Sequence, residues 1–298
     1  MNYKLRDTWI DIDINSLFVK TVQEFFDNYI PSKKIQHLLI QNKNILMDNN
    51  SVKREDDIVG LTLSINLYPD KYDYVKVENK LTIVYEDEII VIVNKPKDLI
   101  VHSDGSNDLT LTKLVESYYV NNNYVCAQPI HRLDKETSGL VIYSKSIIFQ
   151  PILDKLLSEK QIRRNYFAFV EGKIEIGKSF TVDKPIGNDR HNSNKRIIYK
   201  NGQPAVTKFK CIACNKKNNY SILQCSLETG RTHQIRVHLA SEGYPILNDD
   251  LYGHNSKLCS RMGLFAYSVE LYHPLKEDNI VIETELPKDL DNLYMEAQ

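Results

Sequence analysis

A chain of 298 residues, 42% hydrophobic and 26% charged, has material for one large domain and a smaller one, each with an apolar core. Its longest purely aliphatic run, Ile89 to Val93, falls far short of the roughly 20 residues of a membrane-spanning helix. Met1 to Ile14 carries no apolar core of an export signal, so a cytoplasmic protein without a membrane partner is expected. Five cysteines without regular spacing describe no disulfide framework, in agreement with a reducing compartment.

A formal net charge of −1 taken alone disfavours a nucleic-acid partner, because phosphates reward lysine and arginine. The distribution points the other way: Glu159 to Arg236 holds 16 Lys and Arg against 6 Asp and Glu. A solvated charged face explains such a run equally well on charge alone. The first 75 residues hold 9 basic and 11 acidic residues, so the N-terminal part is not basic overall.

In chain order, Phe18, Val22 and Phe25 fall at helical spacing, and Ser32 stands as an N-cap ahead of Ile35, Leu38 and Leu39. A turn at Gln41 to Asn44 ends that second helix. Ile45 and Met47 predict a short strand, Asp48-Asn49-Asn50 a turn, and Leu61, Leu63, Ile65 and Leu67 a strand of period two. This order of helix, helix and hairpin resembles an S4-type RNA-binding domain, whose second helix and following turn face RNA. The resemblance implies Lys33, Lys34 and Lys43 as contacts, although a generic small α+β module fits the same pattern. Residues 1–70 are assigned to this module, and 71–80, polar and without an apolar face, to a linker.

From Leu81 the pattern is mainly of strands: Leu81 to Tyr85, Ile89 to Asn94, Gly139 to Tyr143, Tyr166 to Glu171, Val206 to Cys214 and Ser221 to Leu227. Helical patterns intervene at Thr110 to Tyr119 and Ile148 to Leu157. Strands of uneven spacing with few helices between them predict an α+β fold for residues 81–298, with a mixed, mainly antiparallel central sheet.

Common cofactor motifs do not occur. No glycine-rich phosphate loop, no Gly-x-Gly-x-x-Gly and no His-Glu-x-x-His is found, so nothing supports a nucleotide, dinucleotide or metal, and no cofactor is expected. Cys211 and Cys214 form a lone Cys-x-x-Cys inside a strand pattern, where residues three apart face opposite ways. His233 and His238, five apart, are more simply solvent or core histidines. What stands out is His131-Arg132-Leu133-Asp134-Lys135-Glu136-Thr137-Ser138-Gly139-Leu140, a charged segment running into the apolar strand Val141 to Tyr143. Such a loop can present a carboxylate from a rigid edge, although an isolated aspartate there would more simply bond turn amides.

That string resembles the signature of the RluA family of pseudouridine synthases, in which the aspartate of His-Arg-Leu-Asp is catalytic. Further segments match in order: Asn94-Lys95-Pro96 with Val101-His102, Arg164-Asn165-Tyr166 leading into Phe167 to Gly172, Gly202 to Thr207, and Leu227 to His238 continuing through Gly243-Tyr244-Pro245-Ile246 to Asp249 and Tyr252-Gly253. Together they span roughly residues 81–285. The chain departs from the family at Asn248, where Gly is usual, at Phe265, where His is usual, and at Arg164, which replaces Lys.

The resemblance implies that a uridine's bond from ribose C1′ to uracil N1 is broken, the base turned, and C1′ rejoined to C5. This needs no net redox change and no hydrolysis. It implies Asp134 as the catalytic carboxylate, attacking ribose C1′ or uracil C6 or acting as a base, Tyr166 as a ring against the uracil that assists at C5, and Arg236 as the cation that orients Asp134. A phosphate contact is the other reading of Arg236. A stacked uridine must be extruded to reach such a carboxylate, and Arg132 is expected to fill the gap. Arg231, Lys184, Arg190, Lys195, Arg196 and Lys200 are expected on phosphates. The implied partner is RNA, large-subunit ribosomal RNA first and transfer RNA second, and the protein is expected to be a monomer. A catalytically silent RNA-binding protein and a glycoside hydrolase using Asp134 with Glu136 are the competing classes.

Overall fold

The computed structural model describes residues 1–103, 105, 108–122 and 124–298. The N-terminal elements are β1 (Tyr3–Arg6), β2 (Trp9–Asp13), α1 (Val22–Tyr29), α2 (Lys33–Gln41), β3 (Ile45–Met47), β4 (Asn50–Ser51) and β5 (Thr62–Asn66). They form a five-stranded sheet of order β1-β2-β5-β3-β4, all antiparallel. The chain therefore opens on a hairpin, not on a helix. Its signal is the alternation Trp9-Ile10-Asp11-Ile12-Asp13, in which Ile10 and Ile12 are fully buried. Phe18, read as part of the first helix, lies outside it and is fully exposed; Thr21 is the true N-cap, accepting from the Glu24 amide. Asp48 and Asn49, both left-handed, make the tight β3–β4 turn that asparagine and aspartate tolerate.

The larger body comprises β6 (Thr82–Glu86), β7 (Ile90–Lys95), α3 (Leu111–Tyr118), β8 (Gln128–Pro129), β9 (Ser138–Ser144), α4 (Gln150–Ser158), β10 (Ile162–Glu171), β11 (Ser179–Asp183), β12 (Ile186–Asn188), β13 (Arg196–Ile198), β14 (Val206–Asn215), β15 (Tyr220–Leu227), α5 (Gln234–Ser241), β16 (Leu264–His273), β17 (Asp278–Glu283) and α6 (Lys288–Ala297). Its main sheet runs β11-β14-β15-β10-β16-β9-β7-β6, with β17 on β16 and β8 on β9. One pair, β16 with β9, is parallel and the rest are antiparallel, the mixed sheet that the strand pattern predicts. The two helical patterns fall on α3 and α4, whereas α5, α6 and strands β11 to β13, β16 and β17 were not anticipated.

Residues 71–80 form neither helix nor strand, yet they are fastened: Tyr74 donates to the Val125 carbonyl at 2.9 Å, and the Val77 amide to Ser117 Oγ at 2.8 Å. The N-terminal sheet and the main sheet share one apolar core, in which Val22, Phe26 and Ile65 belong with Ile90, Ile148 and Leu275. Polar contacts close the seam: Tyr68 donates to the Glu88 carbonyl at 2.7 Å, Ser146 to the Leu67 carbonyl at 2.5 Å, and Tyr29 to Glu277 at 2.9 Å. No helix among the described residues is long and apolar enough to cross a membrane.

Candidate active site

The loop between β8 and β9 carries Asp134. Its flanks are apolar or clamped, which leaves the aspartate little freedom. His131 is buried and accepts from the Ile142 amide at 3.3 Å; burial first, then the charge of Arg164, pushes it down to about 3, so it is a neutral brace. Leu133 packs into the core beneath. Gly139 closes the loop at φ 120°, where a Cβ would stand 2.2 Å from the Ala266 carbonyl oxygen across the parallel β9–β16 contact. Glycine is therefore required there by both conformation and space.

Behind the loop, Lys95 ends β7 fully buried and donates to the carbonyls of Pro96 (3.0 Å), Leu99 (2.6 Å) and Lys135 (2.9 Å). Burial pushes its amine down to about 8, against the pull of Asp134, Glu136 and Asp98. The residue thus ties the first matched segment to the Asp134 loop, a role that the sequence reading did not assign.

Arg236, on α5, is only 2% exposed. Its Nε and Nη2 donate to Asp249 at 2.7 and 2.8 Å as a two-pronged pair, and its Nη1 reaches Asp134 Oδ2 at 3.3 Å and Glu136 at 3.5 Å. Burial works against the guanidinium charge, but the Asp249 bonds and charge outweigh it and raise Arg236 above its ordinary value. Such burial and pairing leave it no place as a surface phosphate contact. The fully buried Asp249 was missed as a partner. Its neighbour Asn248 explains one departure from the family: it is left-handed, where glycine is the usual choice, and its side-chain amide bonds the Cys259 carbonyl and the Ser256 amide. Phe265, a second departure, is buried among Phe169, Leu247 and Leu290.

Tyr166, 4% exposed on β10, lines one cleft with Asp134, Arg236, Arg132, Arg164 and Arg231, a cavity of about 90 Å³ that is open to solvent. Burial raises the Tyr166 phenol, with Asp134 adding to the effect against Arg164, so it meets the cleft uncharged. Arg132 and Arg231 are exposed at this cleft. Beside it, a second groove is lined by Arg190, Arg196 and Arg231, and the β12–β13 hairpin supplies Arg196. Lys195 lies over the Tyr252 ring at 5.4 Å, while Lys200, exposed past β13, lines neither opening. Lys184 is paired with Glu242 at 2.6 Å, which occupies its charge. In the N-terminal body Lys33 stands 3.7 Å from Glu55 and 4.0 Å from Asp27, and Lys34 and Lys43 are exposed.

The weaker candidates separate clearly. Asp134 lines the cleft whereas Glu136 lines a different opening with Lys97 and Asp250, so the two do not share one pocket as a hydrolase pair does. Cys211 is buried and Cys214 half-buried, and no cluster of three potential metal ligands occurs among the described residues. His238 is a core histidine, within 2.9 Å of Thr207 Oγ1 and 3.0 Å of the Lys184 carbonyl. His233 was set aside wrongly, because it lines the cleft with its Nε2 4.0 Å from Asp134 Oδ1.

Comparison with known proteins agrees with this geometry. Residues 89–241 match the family model for RNA pseudouridylate synthases. The chain is 38% identical over 261 residues to the uncharacterised RNA pseudouridine synthase YhcT of Bacillus subtilis, covering 87% of this chain and 84% of that one. It is 34% identical over 229 residues to ribosomal large subunit pseudouridine synthase D of Escherichia coli, covering 72% and 69%. Human RNA pseudouridylate synthase domain containing 1 has the same fold, with a TM-score of 0.60 at 24% identity over 72% of this chain and 87% of that one. A mixed sheet that presents an arginine-held aspartate in an open, arginine-lined cleft, together with these matches, places the chain in the RNA pseudouridylate synthase family.

Proposed function

We propose that the cleft isomerises an extruded uridine of large-subunit ribosomal RNA, with Asp134 as the catalytic carboxylate, Tyr166 against the uracil ring and Arg236 orienting Asp134. The observation that carries this reading is the 3.3 Å contact between Arg236 Nη1 and Asp134 Oδ2 in a cleft that Tyr166 lines. In the isomerisation the C1′–N1 bond breaks, C1′ bonds to C5, the C5 hydrogen leaves as a proton and N1 gains one, so no redox partner enters. Because burial keeps Tyr166 a neutral phenol, it serves as a wall and hydrogen-bond donor, and the proton acceptor is Asp134.

Arg132 fills the place of the extruded base, and Arg231, Arg190, Arg196, Lys195 and Lys200 grip the surrounding phosphates. The ribosomal target is supported by relatives named as large-subunit pseudouridine synthases, among them those of Escherichia coli and Buchnera aphidicola. Residues 1–70 act as an S4-like RNA-binding module through Lys34, Lys43 and Lys33, joined by 71–80 to the catalytic body 81–298, in a cytoplasmic monomer. The deciding experiment incubates the protein with unmodified large-subunit rRNA and, separately, with unmodified transfer RNA, and maps pseudouridine chemically. Product in rRNA is expected; product in transfer RNA alone overturns the target.

A further inference from the structure

A chain of polar contacts runs from the β12–β13 hairpin to Oδ1 of Asp134. The Arg196 amide donates to the Tyr252 hydroxyl at 2.7 Å, the same hydroxyl lies 2.9 Å from His233 Nδ1, and His233 Nε2 faces Asp134 Oδ1 at 4.0 Å. With its acceptor position taken by Arg196, the phenol has its own proton left for Nδ1. A neutral imidazole that accepts at Nδ1 carries its hydrogen on Nε2, the nitrogen turned to the carboxylate.

A second, independent observation marks the same residue. His233 caps α5 in the left-handed conformation, φ 58°, which is costly for a residue with a Cβ and persists where surroundings enforce it. Tyr252 also lays its ring 5.3 Å from the Arg236 guanidinium, so one side chain touches both groups that flank Asp134. The charged and titratable groups facing His233 are Asp134, Glu136, Arg236, Arg196 and Tyr252; burial, more than any of these, keeps the imidazole below its ordinary value.

We infer that His233 is a positioning residue for the isomerisation: its Nε2–H takes up Asp134 Oδ1 once RNA is bound, while Arg236 holds Oδ2, and Tyr252, its oxygen fixed by the Arg196 amide of the β12–β13 hairpin, sets the required tautomer. This rests on Asp134 being the catalytic carboxylate. The hairpin, by fixing the Tyr252 oxygen, then links a seated phosphate backbone to the orientation of the carboxylate.

The test uses the full chain and RNA labelled with [5-³H]uridine, extracted from source cells in which the gene is deleted, so that the natural target is present whatever its class. Release of tritium gives the single-turnover rate and the half-saturating protein concentration. His233→Ala should lose about 10-fold in rate, the worth of one hydrogen bond to a charged group, at unchanged half-saturation. His233→Gln, whose amide can still donate, should recover most of it. Tyr252→Phe keeps the ring on Arg236 and should be slow at pH 8 and recover only as the pH falls below 6, because burial holds the imidazole below its ordinary value and only the protonated ring has a hydrogen on both nitrogens; wild type should show no such recovery. Equal rates for His233→Ala and wild type, equal rates for His233→Ala and His233→Gln, or a Tyr252→Phe pH profile parallel to wild type overturns the inference. Asp134→Asn, run alongside, separates the two layers: activity in that variant sinks the reading of the site itself.

Discussion

Asp134 has two oxygens with different surroundings, and the whole site is organised around that asymmetry: Oδ2 meets a buried guanidinium and Oδ1 faces an imidazole. Asp134→Asn keeps the shape but removes the charge, so product formation should fall by about 10²-fold or more while RNA affinity, measured by filter binding, stays within about tenfold. Asp249→Ala should behave otherwise. It leaves the Arg236 charge buried without its two-pronged partner, and denaturant unfolding should show a loss of about 3–5 kcal/mol. An unchanged midpoint would mean that Asp134 and Glu136 suffice for Arg236. At this scale the sequence made the string around Asp134 legible because its residues are neighbours in the chain. Asp249, Tyr252 and His233 stayed hidden because their meaning lies in pairs that only the fold creates, such as Arg236 with Asp249 and His233 with Tyr252.

Among the elements, the strands of the catalytic body were readable where a buried run has clear ends, as in β7, β9, β10 and β15, or where burial alternates, as in β14. β16 was missed although seven of its ten residues are buried: a strand shielded on both faces shows no alternation. The β12–β13 hairpin was legible as basic residues and not as strands, since three-residue strands carry too little periodicity. Its Arg196 can be tested with Lys200 just beyond it: Arg196→Ala with Lys200→Ala should weaken RNA binding and reduce the slope of log affinity against log salt by about 1 for each phosphate left without its cation. An unchanged slope removes the hairpin from the RNA footprint. Gly139→Ala joins a left-sided φ to a 2.2 Å clash with backbone and should cost at least about 2 kcal/mol in thermal or denaturant unfolding.

For the molecule as a whole, Lys95 makes stability depend on pH in a definite direction. Its folded-state value, about 8, lies below the 10.5 of a free lysine, so between these the unfolded chain holds more protons than the folded one. Relative to Lys95→Met, wild-type stability should therefore rise from about pH 8 to about pH 10.5, by up to about 3 kcal/mol, and be flat below pH 8. A difference that shrinks with rising pH would show the amine to be stabilised as a cation. The cost of the buried ammonium at neutral pH is borne where it fastens the carbonyls of Pro96, Leu99 and Lys135.

The seam between the N-terminal sheet and the catalytic sheet also limits how such enzymes can be recombined. With Val22 and Phe26 in one apolar cluster with Ile148 and Leu275, the first seventy residues are not a bead on a string that can be exchanged at will. A chimera that borrows another protein's front half must bring matching side chains for that joint, or expose greasy surface on both sides of the cut. Because the joint is packed, the front half stands against the cleft-bearing body in one orientation, and any partner that touched both would have to fit that angle.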